Sequence, residues 1–81
     1  MVGRDEIADR ISTVLVTRLR ATPDSISEAA SLDADLGATS LDMVETIMSL
    51  EDEFNIEISD RDAETLHTVG DLIALVRVKV H

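Results

Sequence analysis

Seven Lys+Arg against seventeen Asp+Glu give this chain of 81 residues a net charge of −10, which excludes nucleic acid as a partner, because phosphate contacts need clustered cations. The chain has no cysteine, so it forms no disulfide framework or thiolate metal site, and any thiol chemistry would have to come from an attached group. Hydrophobic residues make up 44%, too many for disorder, and no apolar run has the length of a membrane span.

These limits predict a single domain over residues 1–81, monomeric and without membrane insertion. The start MVGRDEIADR carries acids where a secretory signal needs a basic start and an apolar core, so a cytoplasmic location is expected. The charge is uneven. From Asp24 to Asp71 fourteen acids face one base, Arg61, and the other cations lie near the two ends.

Ile7, Ile11, Val14, Leu15 and Leu19 recur at helical spacing and predict a first helix over residues 4–20. The stretch ATPD at 21–24 breaks it, since proline cannot continue the hydrogen-bond ladder. A connection over 21–39 is long for a compact domain. Ile26, Leu32 and Leu36 are expected to pin it to the core, with SEAAS at 27–31 forming a turn of helix.

The strongest helical signal runs from Ser40 to Phe54. Met43, Ile47, Leu50 and Phe54 fall within roughly 60° of one another and mark the core face. Leu41, Val44 and Met48 form a second apolar arc beside the acids Glu45, Glu51 and Asp52, more than a single buried face requires. NIEISD at 55–60 reads as a connection with Ile56 or Ile58 buried, followed by a short helix over 60–65. TVGD at 68–71 resembles a capping box and opens a last helix with Val69, Leu72, Ile73, Val76 and Val80 at helical spacing. Its end, LVRVKV, is β-branched enough to alternate as a strand. The expected fold is all-α: a four-helix bundle with a long loop between helices 1 and 2 and a short third helix.

Two catalytic or metal readings fail on spacing. DADLG from Asp33 imitates the start of a calcium loop, but its glycine comes fifth and Val44 occupies the place of the bidentate acid. GATSL lacks the second glycine of a nucleophile elbow, and only His67 and His81 could serve as base. His67, just before a helix, reads as a solvent-facing linker residue.

Ser40 remains. Serine is a strong helix N-cap, worth about 1 kcal/mol, and that is the ordinary reading of its position. Its surroundings suggest more: Gly37 permits a tight turn, a helix N-terminus favours an anion, and the apolar and acidic arc follows directly. A hydroxyl so placed suits a phosphodiester.

The segment ASLDADLGATSLDMVETIMSLEDEFNIEISD, from Ala30 to Asp60, resembles the central segment of acyl carrier proteins, with their LGxDSLxxVE pattern around a modified serine. The resemblance implies that a phosphopantetheinyl transferase attaches 4′-phosphopantetheine from coenzyme A to Ser40. It also implies a carrier that is not itself a catalyst, whose arm holds acyl groups as thioesters for the enzymes of fatty acid, polyketide or related biosynthesis. Leu41, Val44 and Met48 match that family's apolar contacts beside the serine. Asp42, Glu45, Glu51 and Asp52 match its acids for basic partner surfaces. Thr39 departs from the usual aspartate, and Thr46 stands where a core leucine is common; both departures point to a specialised pathway. The alternatives are an aminoacyl, peptidyl or other specialised carrier, and an unmodified acidic interaction bundle.

Overall fold

Ile11 and Leu15, one helical turn apart, are completely buried and sit at the centre of the core. They lie on α1 (Arg4–Leu19), which is followed by α2 (Ser40–Phe54), α3 (Asp60–Ala63) and α4 (Val69–Lys79). The computed structural model describes residues 4–80, and among them there is no β-strand. The expected all-α arrangement is therefore observed, with its long connection and short third helix.

α1 packs against both α2 and α4. Leu50 of α2 and Val69, Leu72, Ile73 and Val76 of α4 close around it, with Ile58 and Leu66 from the later connections. Each such large aliphatic side chain gains about 1.5–3 kcal/mol on full burial. Met43, Ile47 and Phe54 pack against this core while only partly buried. The β-branched end of α4 stays helical because Val76 faces the core and Thr68 caps the start reciprocally with Asp71.

Polar contacts fasten α1 along α2. Arg10 Nε meets Glu53 Oε2 at 2.8 Å, its Nη2 donates to the Glu53 carbonyl at 2.8 Å, and its guanidinium lies 4.5 Å from the Phe54 ring centre. Arg18 Nε donates to Ser49 Oγ at 2.7 Å. The exposed Arg10–Glu53 pair contributes at most about 1 kcal/mol. Its use is register: both arginines fix how far α1 slides along α2. At the other end Lys79 Nζ lies 2.9 Å from Asp62 Oδ2, and this hydrogen bond holds the Asp62 carboxyl below its ordinary range.

The long connection is ordered by its backbone. It contains a 3-10 turn at Pro23–Ser25, and SEAAS, expected to form a turn of helix, instead makes a non-helical turn closed by Ala30 N–H donating to the Ser27 carbonyl at 3.0 Å. Leu32 N–H donates to the His67 carbonyl at 2.9 Å, Val69 N–H to Ala30 at 3.1 Å, and Gly70 N–H to Glu28 at 2.9 Å. A Cβ at position 70 would stand 3.1 Å from the Glu28 carbonyl oxygen, so glycine permits this approach. Ala30, Leu32 and Leu36 are buried beneath the connection.

Two expectations need correction. The third helix ends at Ala63 instead of continuing to 65. Thr65 and Leu66 instead donate to the carbonyls of Asp62 and Ala63, three residues back, and this tighter turn delivers Leu66 to the core. Second, of the expected core face of α2 only Leu50 is fully buried, while Met43, Ile47 and Phe54 are partly so, and Thr46, where the resemblance places a core leucine, is buried completely.

The Thr46 hydroxyl oxygen is buried without a hydrogen-bond partner among the described residues. An unsatisfied buried polar group costs about 1–3 kcal/mol. Thr46→Val keeps the branched shape and removes that penalty, so it should stabilise the fold by about 1 kcal/mol, raising the melting temperature by roughly 4–8 °C. Thermal unfolding followed by circular dichroism checks this; a melting temperature at or below that of the parent chain would show that the hydroxyl is satisfied.

Candidate functional site

The site begins with a turn that only a flexible residue closes easily. Gly37 has φ 72° and its N–H donates to the Asp33 carbonyl at 3.0 Å, while Ala38 N–H donates to Leu32 at 2.9 Å. No atom would meet a Cβ at position 37, so glycine serves the backbone angle there, not the available space.

The helix cap then falls on Thr39, not on Ser40 as the sequence suggested. Thr39 has the extended backbone that an N-cap needs (φ −85°, ψ 174°). Its Oγ1 accepts from Asp42 N–H at 3.1 Å, and Asp42 Oδ2 accepts from Thr39 N–H at 3.0 Å. Ser40 is thereby the first helical residue. Its side chain is exposed and is not used for capping.

This arrangement has an electrostatic consequence. Met43 N–H is taken by the Thr39 carbonyl, which leaves the N–H groups of Ser40 and Leu41 without a protein acceptor among the described residues. They point from the positive end of a helix of 15 residues, where an anion is favoured.

Beside Ser40 opens a cleft of about 410 Å³, lined by Leu32, Asp33, Ala38, Thr39, Met43, Leu66 and His67 as well as Ser40 itself. His67 is exposed, as expected of a linker residue, but it also forms part of this wall. Its backbone is held twice: its carbonyl accepts from Leu32, and its N–H donates to Asp71 Oδ2 at 2.9 Å. The same oxygen accepts from Thr68 N–H at 3.0 Å. The backbone N–H groups of His67 and Thr68 together keep the Asp71 carboxyl below its ordinary value. The sequence gives no local sign that His67 joins the site, because it arrives there through pairing of the loop with the α3–α4 junction.

Along α2 the structure divides the sequence-selected residues. Leu41, Val44 and Met48 are 65%, 53% and 58% exposed, and Glu45 and Asp52 are exposed on the same side. Asp42 and Glu51 are half-buried and engaged: Asp42 in the cap, and Glu51 through an Oε2 that accepts from Ile58 N–H at 2.8 Å. Among the described residues there is no cluster of metal-ligating side chains. No helix there is long and apolar enough to cross a membrane.

Comparison with known proteins places this geometry. Residues 9–76 match the family described as phosphopantetheine attachment site. The fold superposes on that of a Mycobacterium tuberculosis protein described as an acyl carrier protein, with TM-score 0.83 and 40% identity over 89% of this chain and 96% of the other. It also superposes on the acyl carrier protein of Enterococcus faecalis, with TM-score 0.80 and 29% identity over 96% and 99% of the two chains.

The placement of the cap makes a testable distinction between neighbouring hydroxyls. Thr39→Ala should cost about 1 kcal/mol, whereas Ser40→Ala should change stability by less than about 0.5 kcal/mol. Parallel urea titrations measure both. A larger loss for Ser40→Ala than for Thr39→Ala would return the cap to Ser40.

Proposed function

This chain belongs to the acyl carrier protein family of phosphopantetheine attachment domains, and from that membership we propose that Ser40 is the residue that holds the prosthetic group. The membership itself implies a 4′-phosphopantetheine arm. When attached, the arm supplies the thiol that the cysteine-free chain lacks, and acyl groups ride on it as thioesters. The observation that carries the assignment to Ser40 is its exposed hydroxyl at the first position of α2, released from capping by Thr39. The residues present fit such a group. Two open N–H groups favour its phosphodiester, and the adjoining cleft has room for its first part.

In this reading the chain acts as a carrier within residues 1–81, moving acyl groups between enzymes of fatty acid, polyketide or related biosynthesis in the cytoplasm. Its partners are a phosphopantetheinyl transferase and enzymes that transfer or modify the acyl group. Leu41, Val44 and Met48 form the apolar part of the docking face, and the exposed Glu45 and Asp52 provide its charge toward basic partner surfaces. Asp42 and Glu51 contribute mainly by holding the backbone of that face in place. Charge raises encounter rate, while the small apolar patch sets the lifetime of each contact.

Incubation with coenzyme A and a broad-specificity transferase should add the mass of one phosphopantetheine to the parent chain and nothing to Ser40→Ala. Intact mass spectrometry reads the result. An unmodified parent would favour the acidic interaction bundle, and a labelled Ser40→Ala would move the attachment elsewhere.

The docking face has a kinetic signature. Glu45→Lys should slow association with the transferase and weaken its dependence on salt, whereas Met48→Ala should chiefly speed dissociation. Stopped-flow binding at low and high salt separates the two effects. Rates equal to those of the parent for both variants would reject this face.

A further inference from the structure

Beyond the open backbone N–H groups of Ser40 and Leu41, the side chains of the cleft beside Ser40 are poor in donors. Leu32, Ala38, Met43 and Leu66 offer only apolar side chains, and the Asp33 carboxylate is an acceptor already engaged with Ala34 N–H at 2.6 Å. Thr39 Oγ1 accepts from Asp42 N–H and retains one neutral O–H. Apart from Ser40 itself, His67 is the remaining polar side chain of the wall, and it is the one side chain there that can present an N–H donor.

A phosphopantetheine arm makes the opposite demand. Its phosphodiester is an anion, and the amides that follow carry carbonyl acceptors. It would leave Ser40 within a stretch where Arg61 is the only Lys or Arg between Asp24 and Asp71. We propose that His67 is an arm-binding residue: its imidazole donates a hydrogen bond to the phosphodiester end of the arm and holds that end in the cleft beside Ser40. The inference rests on the attachment at Ser40 proposed above.

The backbone geometry makes His67 suited to this task. Its carbonyl is tied to Leu32 N–H and its N–H to Asp71 Oδ2, so its backbone is fixed by other groups, and its imidazole makes no hydrogen bond among the described residues. The charged groups on the segments around it include Asp33 and Asp35 in the loop, Asp42 on α2, Asp60, Arg61 and Asp62 on α3, Glu64 just after α3, and Asp71 on α4. Asp42 and Asp71 already accept backbone N–H groups. Arg61 and Glu64 are of opposite sign.

Phosphorus NMR of the loaded chain tests this directly, since the phosphodiester resonance responds to a donor hydrogen-bonded to it. The arm's resonance should shift in His67→Ala relative to the parent chain and should keep the parent position in His81→Ala. A resonance unchanged in His67→Ala, or one that moves equally in His81→Ala, overturns the contact. If treatment with coenzyme A and a transferase yields no phosphodiester resonance at all, the attachment reading itself fails, and the inference fails with it. Circular dichroism of His67→Ala guards against a change of fold.

Discussion

The reciprocal cap between Thr39 and Asp42 is the interaction on which the site depends. It decides that α2 begins at residue 40 and not one residue later, and it satisfies two backbone donors with side chains of the helix entrance itself. Had Ser40 been the cap, its hydroxyl would have been committed to the backbone. One hydroxyl holds the helix and its neighbour is left free. A threonine performs the structural task here without adding a negative charge beside the place where a phosphodiester would arrive.

The scarcity of cations shapes the rest of the molecule. Arg10 and Arg18 are spent on the register of α1 against α2, and Lys79 fastens the end of α4 to α3. All three leave the exposed side of α2 to Leu41, Val44 and Met48 with Glu45 and Asp52. The opposite edge of the same helix contributes Leu50 and Thr46 to the core. Thus α2 is amphipathic in an unusual sense: one face stabilises the fold and another remains apolar in solvent. Such an exposed apolar patch is the kind of surface that marks a contact with other molecules.

Sequence periodicity located the helices well, because each depends on local spacing and local caps: Ile11 and Leu15 on α1, Leu50 on α2, and Thr68 with Asp71 at the head of α4 all announced themselves within a few residues. The exposed arc of α2 could be read in the same way. What could not be read were features that depend on contact between distant segments. His67 joins the cleft only because its carbonyl receives Leu32, and Glu51 turns inward only because Ile58 N–H comes within reach. The misplaced cap has a different origin. Thr39 and Ser40 are both good capping residues, and the choice between them rests on backbone angles set by the Gly37 turn.

The connection between α1 and α2 shows how such a fold can diversify. Its ties to the α3–α4 junction run through the main-chain atoms of Glu28, Ala30 and Leu32, and main-chain bonds are indifferent to most changes of side chain. Burial restricts Ala30, Leu32 and Leu36, and the backbone angle restricts Gly37. The other exposed positions between them are less restrained, apart from Asp33 and Asp35, whose carboxylates accept the N–H groups of Ala34 and Ser31. A lineage can therefore rewrite the surface next to Ser40 by drift in one short segment, while the helices that support Ser40 keep their sequence.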